Sequence, residues 1–397
     1  MTSGHSGGMD LPRLRERFWP VLAQAEDGAR ALVLRAKRAL GVLRPLRARP
    51  FTGHGTASVV HVKGRVRERT GVSAPQPLDG PLDNLRAVVR RFTATPVPDA
   101  RVLLQLHAAS RTPGAPPVGA GGALVVSDRD GYFRAEMRPS VPLEAGWHEL
   151  TAQLQHPVGP GQVQEQTAGR VLVPPPDADF GIISDLDDTV IRSDVTRPLR
   201  AALTVLLHNA RTRTPFQGVA AFYRALQDGP SGTSRNPLFY VSSSPWNLYD
   251  LVLSFLELNQ VPAGPLFLRA WGLDADTRPG AGHHGHKSEL VLGLLDTYPD
   301  LRFVLIGDSG QQDPEIYRDV ALAHPDRILA VYVRDVTTAE RDASVAAVAR
   351  QVVAAGVPFE LVADSAGAAR HAAGLGLLTV AALEQVRGAV VAAGPVA

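Results

Sequence analysis

The chain has 397 residues, of which 45% are hydrophobic, and it carries a formal net charge of +2. This length suits two folded domains with extensions, because single hydrophobic cores stop growing at roughly 250–300 residues. The absence of cysteine excludes disulfides, thiolate zinc sites and a cysteine nucleophile. No apolar run approaches the roughly 20 residues that span a bilayer. The N-terminus lacks the pattern of a secretory signal, so we expect a cytoplasmic protein.

Positive charge is concentrated in the N-terminal segment, residues 1–50. Residues 11–50 contain ten Lys or Arg and three acidic residues, a net charge of +7, so the rest of the chain sums to about −5. We expect a disordered start, followed by helical structure over residues 11–49, because the second half of this stretch has an apolar stripe at helical spacing. The stripe fits either an amphipathic helix lying at the periphery of an anionic membrane or a helix packed on a folded domain. The confinement of the basic excess to one segment argues against nucleic-acid binding.

The sequence pattern of residues 51–173 predicts a β-domain. Short β-rich runs are separated by turn residues, which is typical of a β-sandwich of about seven strands. The runs are Ala57–Arg67, Arg86–Thr93, Ala100–His107, Ala123–Val126, Tyr132–Met137, His148–Leu154 and Gly169–Val173. The run Asp128-Arg129-Asp130-Gly131 predicts a hairpin turn rather than a calcium loop, since the later calcium ligands are missing. A Pro-rich linker, residues 174–179, ends the domain.

Residues 180–397 alternate apolar strands with helical patterns, which indicates a parallel sheet covered on both faces. The predicted strands are Phe180–Ser184, Leu238–Val241, Phe303–Ile306, Ile328–Val333 and Phe359–Val362. The predicted helices are Pro215–Gln227, Pro245–Asn259, Ser288–Thr297, Pro314–Ala323 and Thr338–Ala355. Ser244 before Pro245 and Asp313 before Pro314 predict helix N-caps followed by proline at the first helical position.

Acidic residues follow the first of these strands, in the run Ser184-Asp185-Leu186-Asp187-Asp188-Thr189. Open α/β sheets bind their ligands at the carboxyl ends of the strands. Three carboxylates in four positions repel one another, and a divalent cation would relieve that repulsion. Hard carboxylate oxygens suit Mg²⁺. A solvated acidic turn is the alternative interpretation of this motif.

Three further motifs carry polar side chains, and two of them follow strands. Ser242 and Ser243 end the second strand, where hydroxyl and free N–H groups can hold phosphate oxygens. Lys287 precedes a helical run and can neutralise a phosphoryl group, although a single lysine is more often a surface residue. Asp308 follows the third strand in the run Gly307–Asp313 and would complete a metal site with Asp185. Asp313 is either a helix cap or a further residue of that site.

The order of these motifs, Asp-x-Asp-x-Thr, Ser, Lys and Gly-Asp-x4-Asp, resembles that of the haloacid dehalogenase superfamily. Within it, residues 180–335 resemble the phosphatidate phosphatase catalytic domain of the fungal actin-patch-associated type and its bacterial relatives. The matching runs are Ser184–Val190, Ser242–Trp246, His286-Lys287 and Gly307–Asp313. The resemblance implies a Rossmann-like parallel sheet of the haloacid dehalogenase type and a Mg²⁺-dependent phosphatase.

The resemblance also implies a role for each site residue. Asp185 is the nucleophile that forms an aspartyl-phosphate, and Asp187 is the general acid and base. Mg²⁺ is held by Asp185, the Asp187 carbonyl and Asp308, and Asp313 completes the metal site by ordering a metal-bound water. Lys287 is also catalytic and offsets phosphoryl charge. Ser242, Ser243 and Thr189 bind substrate: the two serines orient the phosphoryl group, and Thr189 shapes the loop. A halide leaves without protonation whereas an alkoxide does not, so Asp187 favours phosphate esters over haloacids.

The substrate is less defined by the sequence than the reaction. The resemblance implies phosphatidate, and several aromatic and apolar residues lie near the motifs: Trp246, Tyr249, Leu266-Phe267-Leu268 and Trp271. Each alone is more typical of a core residue. A soluble phosphoester, or a non-catalytic scaffold that binds lipid or protein, is the alternative. The insert 192–237, with Arg197, Arg200, Arg211 and Arg213, could cover the site.

Overall fold

The structure, a computed structural model, describes residues 45–69, 95–108, 118–157, 165–186, 218–269, 283–336 and 339–393. Several predictions lie outside these residues: the helices of the N-terminal segment up to residue 44, the strand Arg86–Thr93, the positions Asp187, Thr189 and Trp271, and the insert up to residue 217. Among the described residues, no helix is long and apolar enough to cross a membrane.

The N-terminal β-region, residues 45–173, contains eight described strands. They are β1 Leu46–Pro50, β2 Gly53–Gly55, β3 Val60–Glu68, β4 Arg101–Ala108, β5 Val118–Val126, β6 Tyr132–Met137, β7 Gly146–His156 and β8 Gln166–Val173. Their order is β1-β3-β2-β8-β7-β4-β5, with β6 paired to β3. All described pairs are antiparallel except β2 with β8. Since these strands form one hydrogen-bonded network, a division into two packed sheets stays a prediction.

The structure corrects the boundary predicted at residue 50. Leu46–Pro50 is a strand, paired antiparallel with β3, and not the end of a helix. Its burial alternates: Leu46, Ala48 and Pro50 are buried, whereas the arginines between them are half-buried. This period of two is that of a strand with one face on a core. The sequence prediction extended the helical stripe too far, because the frequent arginines of this stretch also suit a helix surface.

The turn at Asp128–Gly131 is confirmed, but it does not close a hairpin. The Asp128 carboxylate accepts the backbone N–H groups of Asp130 and Tyr132, at 3.0 and 2.8 Å. The turn joins β5, which pairs with β4, to β6, which pairs with β3. It therefore connects strands that have different partners, and the side chain of Asp128 is used to form the turn.

The α/β region, residues 180–393, is built on a six-stranded parallel sheet. Its strands are β9 Gly181–Asp185, β10 Leu238–Pro245, β11 Leu266–Arg269, β12 Phe303–Asp308, β13 Ile328–Arg334 and β14 Phe359–Val362. The spatial order β11-β10-β9-β12-β13-β14 is 3-2-1-4-5-6 when numbered along the chain, as in doubly wound sheets. The order reverses between β9 and β12, so the crevice at the carboxyl ends of these two strands is the expected ligand site.

Seven described helices belong to this region. They are α1 Val219–Asp228, α2 Tyr249–Leu258, α3 His283–Thr297, α4 Asp313–Ala323, α5 Ala339–Ala354, α6 Ser365–Gly374 and α7 Val380–Ala392. Two hydrophobic clusters lie on opposite faces of the sheet, because successive residues of each strand enter different clusters: Ile182 one and Ile183 the other. The sequence analysis missed α6, α7 and the short strand β11.

Candidate active site

Strand ends bring the predicted residues of three motifs to the same edge of the sheet. Asp185 is the last residue of β9, and it pairs with Val241 of β10, directly before Ser242. On the other side of β9, the neighbouring strand β12 ends at Asp308. Both strands are buried along their whole length. The apolar runs that predicted these strands therefore also place their terminal polar residues next to one another.

Three carboxylates converge at this edge. Asp185, Asp308 and Asp313 are fully buried, and each offers a ligand atom within 4.8 Å of the others. Asp313 is not the predicted N-cap, since Gln312 occupies that position and Asp313 is the first residue of α4. Its Oδ2 accepts the backbone N–H of Asp308 at 3.2 Å. The side chain is thus turned away from the start of its own helix and into the cluster.

Gly307 permits this approach of Asp313. A Cβ atom at position 307 would lie 2.5 Å from Asp313 Oδ2 and 2.8 Å from the Tyr317 ring. Neither neighbour has room to move far, because both are fully buried. The glycine before Asp308 is therefore needed for the close contact between β12 and the first turn of α4.

Lys287 joins the carboxylates from α3. Its Nζ donates to Asp185 Oδ1 at 2.8 Å and also to Asp313 Oδ1. Burial alone would lower the pKa of Lys287, but the two carboxylates outweigh it and raise the pKa above its ordinary value. The surface-lysine interpretation is wrong, because the residue is only 2% exposed.

The charges and donor atoms of this cluster fit a divalent cation. Three carboxyl groups share this site with a single ammonium, so negative charge is in excess. Buried excess charge is costly unless it is neutralised. The donor set consists of carboxylate oxygens. These are typical ligands of Mg²⁺ and Ca²⁺, whereas many transition metals favour nitrogen or sulfur ligands. The fourth predicted metal residue, Asp187, lies outside the described residues, as does Thr189.

The loop after Asp308 is held by the side chain of Asp308 and by Arg341, a residue that the sequence analysis missed. Asp308 Oδ1 accepts the N–H groups of Gly310 and Gln311, at 2.7 and 3.0 Å. Arg341 of α5 donates to the carbonyl of Ser309 at 3.0 Å and to that of Gln311 at 2.7 Å.

Arg341 is itself fixed by a bidentate ion pair with Glu315, at 2.7 and 2.9 Å. Burial is the largest single effect and would raise the pKa of Glu315, but the hydrogen bonds and charge of Arg341, together with a backbone hydrogen bond and the charge of Arg318, lower that pKa on balance. No motif marks Arg341, because its role depends on the packing of α5 against the loop.

Ser242 and Ser243 lie where β10 ends, beside Asp185. Ser242 is buried and its Oγ accepts the N–H of Ser244 at 2.9 Å, while Ser243 and Ser244 are half-buried. The predicted cap at Ser244 is wrong: a 3-10 turn, Trp246–Leu248, begins after Pro245, without a side-chain cap. We name residues 242–247 the serine turn.

A second unpredicted contact supports the end of β9. The Ser184 hydroxyl lies 2.6 Å from the hydroxyl of Tyr223 and 2.8 Å from the carbonyl of Asp185. Both side chains are fully buried. Burial is the largest effect on Tyr223 and raises its pKa, so the phenol stays protonated and is a hydrogen-bond donor. The backbone that carries Asp185 is thereby tied to α1.

The catalytic-domain resemblance is found in comparisons with known proteins. Residues 180–335 match the family model described as phosphatidate phosphatase APP1, catalytic domain. Phosphatidate phosphatase APP1 of Saccharomyces cerevisiae is 32% identical over 156 residues, 39% of this chain and 26% of that protein. An uncharacterised protein of Schizosaccharomyces pombe is 34% identical over 162 residues, 40% of this chain and 25% of that protein. The chain thus spans about a quarter of the length of these relatives.

Two solved structures align with much of the chain at low similarity. A β-glucuronidase of Bifidobacterium dentium aligns over 81% of this chain and 61% of its own, with a TM-score of 0.26 and 8% identity. A β-glucuronidase of Parabacteroides merdae has a TM-score of 0.27, covering 75% of this chain and 34% of its own, with 9% identity. Values this low carry no argument about fold or activity.

Proposed function

We propose that this chain is a Mg²⁺-dependent phosphoric monoester hydrolase that acts through Asp185 and whose substrate is a lipid phosphate such as phosphatidate. The observation that carries the proposal is the cluster of three buried carboxylates around Lys287, with ligand atoms within 4.8 Å of one another. The family match over residues 180–335 includes every residue of this cluster. We further propose that the α/β region is of the haloacid dehalogenase type and that the β-region is a sandwich.

In this proposal, Asp185, Asp308 and the Asp187 carbonyl would hold Mg²⁺, and Asp313 would support the site from outside the direct ligands. When bound, the ion neutralises charge on the phosphoryl oxygens. Lys287 contacts Asp185 and Asp313. Its ammonium therefore lies beside the nucleophile, where it can also offset the charge of the phosphoryl oxygens. Such fixed charges act strongly because the site excludes water.

The protein groups divide the hydrolysis into two steps. A carboxylate oxygen of Asp185 bonds to phosphorus while the bond from phosphorus to the substrate oxygen breaks, and Asp187 gives its proton to the leaving alkoxide. Asp187 then takes a proton from water, which cleaves the aspartyl-phosphate and releases phosphate. Ser242 and Ser243 hold the phosphoryl oxygens, and Thr189 shapes the loop.

The lipid class rests on the name of the matched family and of its yeast relative. Trp246 and Tyr249 do not add to it, because both are buried. We propose that any contact with the membrane surface is made through residues 11–44, whose charge would attract anionic lipids. A soluble phosphoester, or binding without catalysis, would appear as a different outcome of the same experiment.

The test is release of phosphate by the full chain from phosphatidate in vesicles, beside a panel of soluble phosphomonoesters. We expect turnover of phosphatidate that is lost with EDTA and restored by Mg²⁺. Turnover of soluble esters alone would overturn the lipid assignment, and turnover of neither would overturn the enzyme assignment. Sedimentation of a chain lacking residues 1–44 with anionic vesicles tests the membrane contact: undiminished binding would contradict it.

A further inference from the structure

The β-region packs directly against the serine turn through the segment Phe51–Gly55. The Phe51 ring stacks on Trp246 of the turn, with centroids 4.2 Å apart and planes inclined by 12°. The backbone N–H and the hydroxyl of Thr52 meet the Tyr249 hydroxyl at 2.6 and 2.7 Å. On the opposite face of the parallel sheet, His54 Nδ1 lies 3.2 Å from the Tyr298 hydroxyl. The segment therefore contacts the α/β region on both faces of its sheet.

Basic residues of β1 and β3 reinforce this contact. The Lys63 ammonium lies 4.9 Å from the centroid of the Trp246 ring. Arg49 and Arg67 both pair with Asp250 of α2, at 3.2 and 3.1 Å. These side chains reach Trp246 and Asp250, so the β-region meets both the serine turn and the start of α2.

Arg65 makes a side-chain hydrogen bond to the serine turn. Its Nη1 donates to the side-chain oxygen of Asn247, and its Nε donates to the carbonyl of Asp130 at 3.0 Å. The guanidinium also lies over the Tyr132 ring, 4.5 Å from the centroid. Arg65 and Asn247 are 9% and 6% exposed. A charge-assisted bond in such a site is stronger than one in water.

The bond from Arg65 to Asn247 matters for the serine turn because the 3-10 turn after Pro245 has no side-chain cap. The first two residues of the 3-10 turn, Trp246 and Asn247, contact side chains of the β-region. Both acceptors named for Arg65 are uncharged, so burying the guanidinium carries a desolvation cost that a carboxylate would offset better. Stability alone therefore explains this arginine poorly, whereas fixing the position of Asn247 explains it.

We propose that Arg65 is a positioning residue of the phosphatase, which fixes the serine turn through Asn247, so that the catalytic unit includes part of the β-region. The proposal rests on the proposed function, since it assigns phosphate binding to Ser242 and Ser243. Arg65 lies outside the matched family region, residues 180–335. A displaced turn would bind the phosphoryl group less well, while the acid cluster on β9 and β12 stays in place.

The experiment compares Arg65→Met with Arg67→Met in the full chain. Arg67 is on the same strand and face, and it pairs with Asp250 of α2. We expect Arg65→Met to raise KM about 10-fold with kcat within about 3-fold, because a lost binding contact acts on KM. Arg67→Met should change neither by more than about 2-fold. Arg65→Lys, which keeps a donor, should recover part of the loss.

Binding of inorganic phosphate, followed by calorimetry with Mg²⁺ present, gives a readout that does not need turnover. We expect phosphate affinity to fall about 10-fold in Arg65→Met and to be unchanged in Arg67→Met. Equal phosphate affinity in both variants would overturn the positioning role, even if Arg65→Met has a lower Tm. Should Arg65→Met fail to fold, Asn247→Ala removes the same bond from the other side, and unchanged phosphate affinity there would equally overturn it.

The two proposals fail in different ways. A wild-type chain that binds phosphate but hydrolyses no ester would contradict the proposed function alone, since the variants still test the turn. A wild-type chain that hydrolyses esters, with identical KM in Arg65→Met and Arg67→Met, would contradict the positioning role alone.

Discussion

The acid cluster and the serine turn are neighbours in space but are held in place by different parts of the molecule. The cluster of Asp185, Asp308 and Asp313 is held from within the α/β region, by Lys287, Gly307 and Arg341. The serine turn is packed from outside, by Phe51 and Arg65 of the β-region. We therefore expect changes within the α/β region to act on metal binding and chemistry. Changes at the contact between the regions should act on the binding of substrate.

Gly307→Ala should give the largest difference between an effect on the acid cluster and an effect on the serine turn. The new methyl group would lie 2.5 Å from Asp313 Oδ2 and displace that carboxylate. A shift of about 1 Å in a reacting group costs on the order of 100-fold in rate, so we expect kcat to fall by about that factor with phosphate affinity of the turn retained. Steady-state kinetics measure this. Gly293→Ala on α3, where a Cβ meets no atom within 4 Å, is the matched control, and an equal loss there would contradict the explanation.

Acid should loosen the contact between the regions without acting through the cluster. Burial, and secondly the charge of His61, lower the pKa of His54 from 6.5 to about 3. The unfolded chain therefore binds a proton that the folded chain does not, and stability is lost as pH falls from 6.5 towards 3. For one such group, the free energy of unfolding falls by about 2 kcal/mol between pH 7.5 and 5.

Urea unfolding of wild type and His54→Gln at both pH values isolates this contribution. Glutamine keeps a donor for Tyr298 and does not titrate. The difference in unfolding free energy between the two proteins should shift by about 2 kcal/mol in favour of the variant at the lower pH. A pH-independent difference would show that His54 does not carry the effect.

The smallest effect is expected from Arg341→Met. It removes the side chain that fixes the carbonyls of Ser309 and Gln311, so the loop after Asp308 should bind the ion less firmly. Loss of such a supporting contact typically costs 10–100-fold in metal affinity. We expect about a 10-fold higher Mg²⁺ concentration for half activation, with kcat at saturating Mg²⁺ nearly unchanged.

Arg318→Met is the control for this change, because Arg318 pairs with its neighbour Asp319 on the outer side of α4. An altered kcat at saturating Mg²⁺, with an unaltered half-activating concentration, would argue that Arg341 does not act on the metal loop.

The same contrast explains what the sequence predicts about this molecule. Asp185, Ser242 and Asp308 were predicted to converge because they follow apolar strands. In a parallel sheet the carboxyl ends of neighbouring strands lie at the same edge. Asp313 was also assigned to a helix cap, because the Asp-Pro pattern is local and Gly307 permits a different contact.

The supports of these residues could not be predicted in the same way. Arg65 meets Asn247 across 182 positions, and Arg341 meets Ser309 across 32. Neither pair leaves a period or motif in the sequence. The strand at Leu46–Pro50 was missed for a related reason, since its pairing with β3 decides its structure. Local patterns thus predicted the reactive groups, and tertiary contacts determine how they are held.

The central claim is that Asp185 is the nucleophile, and a trapped phosphoenzyme tests it most directly. The Asp187→Asn variant is incubated with Mg²⁺ and the ester that wild type hydrolyses, then quenched in acid and digested. It should carry a phosphoryl group on Asp185, and Asp185→Asn should carry none. The adduct should persist because the second step lacks its base. A wild-type chain that hydrolyses the substrate, while no phosphoryl group is found on Asp185 in Asp187→Asn, would contradict the account.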